Sequence, residues 1–254
     1  MGVDFGKTAN DYARYRTVFP PELFGRLAEL RVGVAGQRLV DVGTGTGVLA
    51  RVFAAAGCTV TGLDVAAEML DQAREQDKAE GVSVTYQVGG AEETGLPSHE
   101  WDVVTAGQCW HWFDRPRVAA EVRRLLVDGG ALAICYRDYS GEVSEAAEEL
   151  VHAYNPTWPL GGLTFDNRPE WVAELRDAGF DSFQHIGFDT TVEFTHEQWR
   201  GRMRSSNGVG GSLTREQVAA FDAELATLLR ERFPPEPLLV PHRIWGIVAR
   251  AVGA

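Results

Sequence analysis

Residues 39–47 read Leu-Val-Asp-Val-Gly-Thr-Gly-Thr-Gly. An apolar run reaches Asp41, and Gly43, Gly45 and Gly47 follow at alternate positions. A strand that empties through such a turn into a helix lets a ligand approach bare backbone N–H groups. Asp64 closes the next apolar run, and a carboxylate there can accept from both hydroxyls of a ribose. Together these features indicate a nucleoside cofactor. The glycine spacing narrows the kind. A dinucleotide turn needs glycine at its first, third and sixth positions, and the sixth here is Val48. A phosphate loop needs Lys-Ser or Lys-Thr, and neither follows. Asp64 has a competing use as the N-cap of a helix over residues 65–80. Met69, one turn into that helix, either covers an adenine face or fills core.

A second cluster of chemically capable side chains spans residues 101–114, Trp-Asp-Val-Val-Thr-Ala-Gly-Gln-Cys-Trp-His-Trp-Phe-Asp. An apolar strand ends near Ala106-Gly107. Gln108, His111 and the rings of Trp110, Trp112 and Phe113 come next. A histidine among rings can act as a base near neutral pH, orient a substrate, or pack beneath a cofactor. Trp110 and Trp112 read as walls, and a ring facing a cation would add attraction. Farther on, Arg200 and Arg204 share a helical face in the basic segment 196–206. They could grip a substrate carboxylate in bidentate fashion or form a solvated face with neighbouring acids. Tyr136, Trp158 and Trp199 are candidate walls of the same cavity. Gly208 to Gly211 read as a mobile hinge.

These residues need a frame, and the periodicity supplies one. Strands are expected over 38–43, 58–64, 82–88, 101–107 and 130–137, with helices over 47–56, 66–80 and 115–127 between them. Gly57, Gly81 and Gly129-Gly130 fall where helix C-caps want glycine. The near-continuous apolar strands suit a parallel sheet covered on both faces. Helices are also expected over 8–16, 21–35, 142–153, 168–178, 196–206 and 214–232, and strands over 180–194 and 239–252. The fold class is therefore α/β, a doubly wound, mostly parallel seven-stranded sheet with an antiparallel edge and a helical cap. The domain expectation is one domain over 1–254. It comprises a lid at 1–36, a cofactor-binding core at 37–137 and a C-terminal part from 138 with cap helices near 142–178 and 196–233.

Composition removes several function classes. The 254 residues carry 24 basic and 36 acidic side chains, a net charge of -12. That disfavours non-specific binding to nucleic acid or an anionic membrane. Cys58, Cys109 and Cys135 form no Cys-x-x-Cys pair and read as core, which makes a reducing cytoplasm the expected compartment. The polar N-terminus lacks a signal-like apolar centre. The six histidines lack metal-ligand spacing, so no metal is expected.

The turn at 41–47 resembles motif I of the class I S-adenosylmethionine (SAM) methyltransferases. The Trp-His-Trp-Phe segment at 110–113 is similar to one carried by their type 11 branch, which includes the trans-aconitate methyltransferases. Tyr12-x-x-Tyr15-Arg16 before Phe19-Pro20 resembles that branch's opening, with Thr17 and Phe19 in place of Pro and Tyr. The resemblance implies SAM as cofactor and S-adenosylhomocysteine as product. It implies that Gly43, Thr44 and Gly45 border the methionine part, that Asp64 holds the ribose, that Met69, Ala91 and Glu92 sit at the adenine, and that Asp41 and Val65 also belong to the cofactor site. Gly90 stands where an Asp is usual, which leaves backbone contact from Ala91 with help from Glu92, or else a solvated acidic turn. Ala106, Gln108 and His111 would line the boundary with substrate, with Trp112, Tyr136, Trp158, Trp199, Arg200 and Arg204 beyond. Tyr12 and Arg16, one turn apart, could close over the cofactor. The implied activity is methyl transfer to a small molecule. A carboxylate oxygen is the first expectation; a phenol, enol, carbon or nitrogen nucleophile is the alternative. Two other readings are SAM binding without transfer and a nicotinamide oxidoreductase, which Val48 disfavours.

Overall fold

The computed structural model describes residues 19–158 and 168–253. Tyr12 and Arg16 lie outside them. The chain forms two compact units, and its path crosses from one to the other within strands. The larger holds residues 19–137, 168–188 and 244–253; the smaller holds 138–158 and 189–243.

In chain order the larger unit begins with helix α1 (Pro21–Glu29), strand β1 (Arg38–Val42), α2 (Val48–Ala55), β2 (Thr59–Asp64), α3 (Ala67–Glu80) and β3 (Thr85–Val88). It continues with β4 (Trp101–Gly107), a single 3-10 turn (Trp110–Trp112), α4 (Arg115–Leu125) and most of β5 (Leu126–Tyr139). Helix α6 (Pro169–Asp177), the start of β6 (Phe180–Phe194) and the end of β7 (Leu238–Ala251) complete it. The seven strands are ordered β3-β2-β1-β4-β5-β7-β6. β1 pairs in parallel with β2 and β4, β2 with β3, and β4 with β5.

The pairing sense of β7 follows from its contacts. Tyr136 stacks on Trp245, and Ser140 N–H donates to the Pro241 carbonyl. Residue numbers therefore rise along β5 as they fall along β7, which makes the pair antiparallel. Successive strand residues point to opposite faces. Val40, Val104, Leu132 and Ile134 join one core cluster, while Leu39, Val103, Ala131 and Ala133 join the other. This is the doubly covered sheet expected from the apolar runs.

Several boundaries differ from expectation, and two of them have a direct physical cause. Helix α1 stops at Glu29 and not near residue 35, because Arg31 and Gly33 adopt φ of 56° and 74°. Gly33 lies against the Phe53 ring, where a Cβ would sit 2.2 Å from a ring carbon. Gly129-Gly130 does not cap α4. The helix ends at Leu125, β5 starts at once, and the glycines absorb a register shift in which Trp101 and Val103 face Leu126 and Ala131.

The smaller unit contains α5 (Glu142–Tyr154), α7 (His196–Arg204), α8 (Arg215–Arg232) and the remaining ends of β5, β6 and β7. Thr195 with Gln198, and Thr214 with Gln217, form capping boxes that start α7 and α8. Val151, Trp199, Phe221, Leu225 and Leu229 share its core. The expected hinge at 208–211 is instead a packed turn. A Cβ on Gly208 would meet the Trp158 ring at 2.8 Å, Asn155 donates to the Gly208 carbonyl at 3.1 Å, and Val209 is fully buried.

Candidate active site at the strand ends

Three parallel strands, β1, β2 and β4, deliver the candidate groups of the larger unit. Gly43, Gly45 and Gly47 take φ of 63°, 57° and 73°, the left-handed region that glycine enters without steric cost. The turn is pinned by Thr44 N–H to the Leu63 carbonyl (2.8 Å) and Gly47 N–H to the Thr44 carbonyl (3.0 Å). At Gly43 space matters as much as φ, since a Cβ would lie 2.9 Å from the Cys109 side chain.

Asp41 is buried at the end of β1. Its oxygens accept from Thr44 Oγ1 and Thr105 Oγ1, each at 2.6 Å. Sheet register places Asp41 directly beside Thr105. Burial pushes the Asp41 carboxyl up to about 6, against the pull of the two hydroxyls, and the charge of Asp64 adds to the rise. Asp64 accepts from Gly45 N–H through Oδ2 (2.8 Å) and from Ala66 N–H through Oδ1 (2.9 Å). Burial raises its pKa too, and the backbone donors oppose the rise. One carboxylate thus ties the glycine turn to the start of α3. Each oxygen spends one lone pair on the backbone and keeps acceptor capacity for a ligand hydroxyl. The expected helix cap is not formed: the N-cap of α3 is Ala66, with no side-chain hydrogen bond, and Asp64 instead holds the backbone just before the helix.

Two neighbouring carboxylates suit a ligand with hydroxyls and positive charge, and they oppose a pyrophosphate. That chemistry fits SAM and not a dinucleotide. Val65 is exposed, whereas Met69, Ala91 and Ala106 are buried. Glu92 turns aside and accepts from Asp114 N–H at 3.2 Å.

Gln108 is a non-glycine residue at φ 62°, a strained conformation held by its N–H to the Cys135 carbonyl (2.9 Å) and its Nε2 to the Arg137 carbonyl (2.8 Å). The 3-10 turn after it brings His111 to Tyr136. The Tyr136 hydroxyl accepts from His111 N–H at 3.0 Å and pairs with Nδ1 at 2.7 Å. Tyr136 is fully buried and stacks on Trp245 at 4.9 Å. It therefore presents no face to a substrate and supports His111 instead. Trp112 is half-exposed at 40%, and its ring leans on His111. Trp110 is core.

The candidates of the smaller unit depart further from expectation. Trp199 is core, edge-on to Phe194 and Tyr139. Trp158 packs over Gly208. Arg200 and Arg204 both bind Asp222, with Arg200 Nε at 3.1 Å and Arg204 Nη1 at 2.5 Å, and both also pair with Glu197. Burial works to raise the Asp222 carboxyl, but the arginine hydrogen bonds outweigh it and hold the pKa low. The arginines are thus engaged by protein acids, and a substrate carboxylate would have to displace one. Thr105 escaped the sequence reading, although a lone Thr in an apolar strand beside Asp41 was the available signal.

The methyltransferase domain family matches residues 40–134. A malonyl-[acyl-carrier protein] O-methyltransferase of Pectobacterium atrosepticum is 34% identical over 233 residues, covering 86% of this chain and 85% of that protein. This chain belongs to the class I SAM-dependent methyltransferases. Among other methyltransferases, an uncharacterized one of Mycobacterium tuberculosis is 35% identical over 136 residues. That match takes in 54% of this chain and spans about half (53%) of the mycobacterial protein. A solved structure described as a type II methyltransferase, from Anaeromyxobacter dehalogenans, aligns with a TM-score of 0.64 at 26% identity. The alignment covers 94% of this methyltransferase chain and all (100%) of that one.

Proposed function

We propose that the protein transfers the methyl group of SAM to an oxygen of a small molecule. The observation that carries the cofactor half is the Asp41–Asp64 pair around a glycine turn with three left-handed residues. Bound SAM supplies an electrophilic methyl on a sulfonium, so the protein's task is mainly positioning and water exclusion. Asp64 holds the ribose hydroxyls. Asp41, Gly43, Thr44 and Gly45 face the methionine end, and the 106–111 segment faces the transferred group. His111 serves as an orienting group whose ring is fixed through Tyr136. The similarity to an O-methyltransferase is compatible with an oxygen nucleophile, and the type 11 resemblance keeps a carboxylate first among nucleophiles.

The experiment is transfer from methyl-labelled SAM to a panel of small carboxylic acids, phenols and enols, followed by alkali. Label released as methanol identifies a carboxyl ester. Alkali-stable label moves the assignment to ether, carbon or nitrogen methylation. No transfer with SAM still bound favours a non-methylating protein.

Tyr136→Phe tests the histidine. It removes the acceptor of a part-buried His111 N–H, a loss worth about 1–3 kcal/mol. Turnover should fall about tenfold, with S-adenosylhomocysteine affinity nearly unchanged. Equal loss of affinity would make His111 part of the cofactor wall, and unchanged turnover would leave it a packing group.

A further inference from the structure

Behind the glycine turn lies a buried polar network centred on Arg51. Arg51 enters an otherwise apolar helix, and its N–H donates to the Gly47 carbonyl at 2.9 Å. Its side chain and that of Asp77 are each 8% exposed. Nη1 donates to the Thr46 carbonyl at 2.6 Å and to Asp77 Oδ1 at 3.2 Å. Nη2 donates to Gln76 at 2.5 Å, and Nε lies 3.3 Å from Glu80. The Tyr86 hydroxyl donates to the same Asp77 oxygen at 3.2 Å. Burial and the Asp77 charge raise the phenol's pKa, so it stays a donor.

This network presses on the turn itself. A Cβ on Gly47 would lie 2.2 Å from the Tyr86 hydroxyl oxygen and 3.0 Å from Arg51 Nη1. A Cβ on Gly62 would strike the Tyr86 ring at 2.9 Å and the Thr44 methyl at 3.0 Å. Thr46 is buried between two left-handed glycines, so its carbonyl must find a protein donor, and Arg51 is that donor. A buried ion pair is a poor device for stability alone, because apolar packing often serves as well. A donor aimed at one turn carbonyl is a device for fixing a backbone conformation.

We propose that Arg51, oriented by Asp77 and Tyr86, is a positioning residue for SAM: it locks the Thr46 peptide so that Gly45 N–H and the Asp64 carboxylate stay preorganised. The proposal rests on the SAM reading. Without the lock, part of the binding free energy would go into ordering the turn.

The test measures S-adenosylhomocysteine affinity by calorimetry, melting temperature, and amide exchange across residues 43–47 in the full chain. The variants are Arg51→Met, Arg51→Lys and Tyr86→Phe. Glu121→Gln is the control, because it disturbs a polar network with Thr94 and Arg124. Arg51→Met should weaken binding about tenfold or more and speed exchange in the turn, with partial rescue by Lys; tenfold corresponds to about 1.4 kcal/mol. Tyr86→Phe should weaken binding about threefold. Glu121→Gln should lower the melting temperature and leave affinity within about twofold. Variants that bind like wild type with slow turn exchange would overturn the proposal, as would an equal affinity loss in Glu121→Gln. If Arg51→Met does not fold, Tyr86→Phe and Arg51→Lys decide by the same criteria. Failure of the wild type to bind would instead sink the SAM reading, and the proposal with it.

Discussion

Asp64→Ala should weaken S-adenosylhomocysteine binding by about 100-fold. Two ribose hydroxyls donating to an ionised carboxylate are worth about 1.5–3 kcal/mol each, and 1.4 kcal/mol is a factor of ten. The same carboxylate receives Gly45 N–H and Ala66 N–H, so its removal also loosens the turn. Asp64→Asn separates the contributions. Its one remaining oxygen can keep the Gly45 N–H, while its amide NH2 gives up the Ala66 N–H and can only donate where the carboxylate oxygen accepted from a ribose hydroxyl. An intermediate loss, with turn amides still protected from exchange, would assign the difference to ribose. Calorimetric affinity near wild type in a folded Asp64→Ala protein would remove the ribose assignment.

The sheet was legible because its strands are apolar runs separated by helices of 3.6 periodicity, and both signals are local. Asp64 was legible for the same reason, since it ends a run at a fixed distance from the turn. What joins His111 to Tyr136 is not local. The partner lies 25 residues on, in another strand, and only the 3-10 turn brings the imidazole to the phenol. Tyr136 therefore looked like a substrate wall when it is a buried support. Arg200 and Arg204 misled differently. They do share a helix face, but the acid that engages both, Asp222, sits on the next helix, and sequence spacing cannot reveal an interhelical pair. Arg51 did leave a trace. A lone arginine in Val-Leu-Ala-Arg-Val-Phe must be paired when that face is buried, and the partner, Asp77, interrupts the buried face of α3. The glycines at 129 and 130 show the limit of cap logic, because a left-handed glycine serves a strand irregularity as readily as a helix end.

Lowering the pH from 8 to 5 should weaken SAM binding about tenfold, with a break near 6. The cause is Asp41, whose carboxyl burial pushes up to about 6, while the Thr105 and Thr44 hydroxyls limit the rise. In the unfolded chain an Asp titrates near 3.9. Between those values the folded protein holds a proton that the unfolded chain has released. Apo stability therefore falls as pH rises from about 4 to about 6, by roughly 3 kcal/mol for two units at 1.36 kcal/mol each. Cofactor affinity should move the opposite way. A ligand carrying an ammonium and a sulfonium favours the ionised carboxylate, so binding near pH 6 releases a proton and tightens as pH rises. Proton release is read by calorimetry in buffers of different ionisation enthalpy. Thr105→Val deletes one stabilising donor and should move the break upward. Asp41→Asn should stabilise the apo protein at pH 8, weaken SAM binding there and abolish the break. A break that survives Asp41→Asn belongs to another group, and Asp64, raised by its own burial, is the first to examine. Opposite pH slopes for apo stability and cofactor affinity, both removed by one substitution, would identify Asp41 as a buried anion kept at a stability cost for the sake of a cationic ligand.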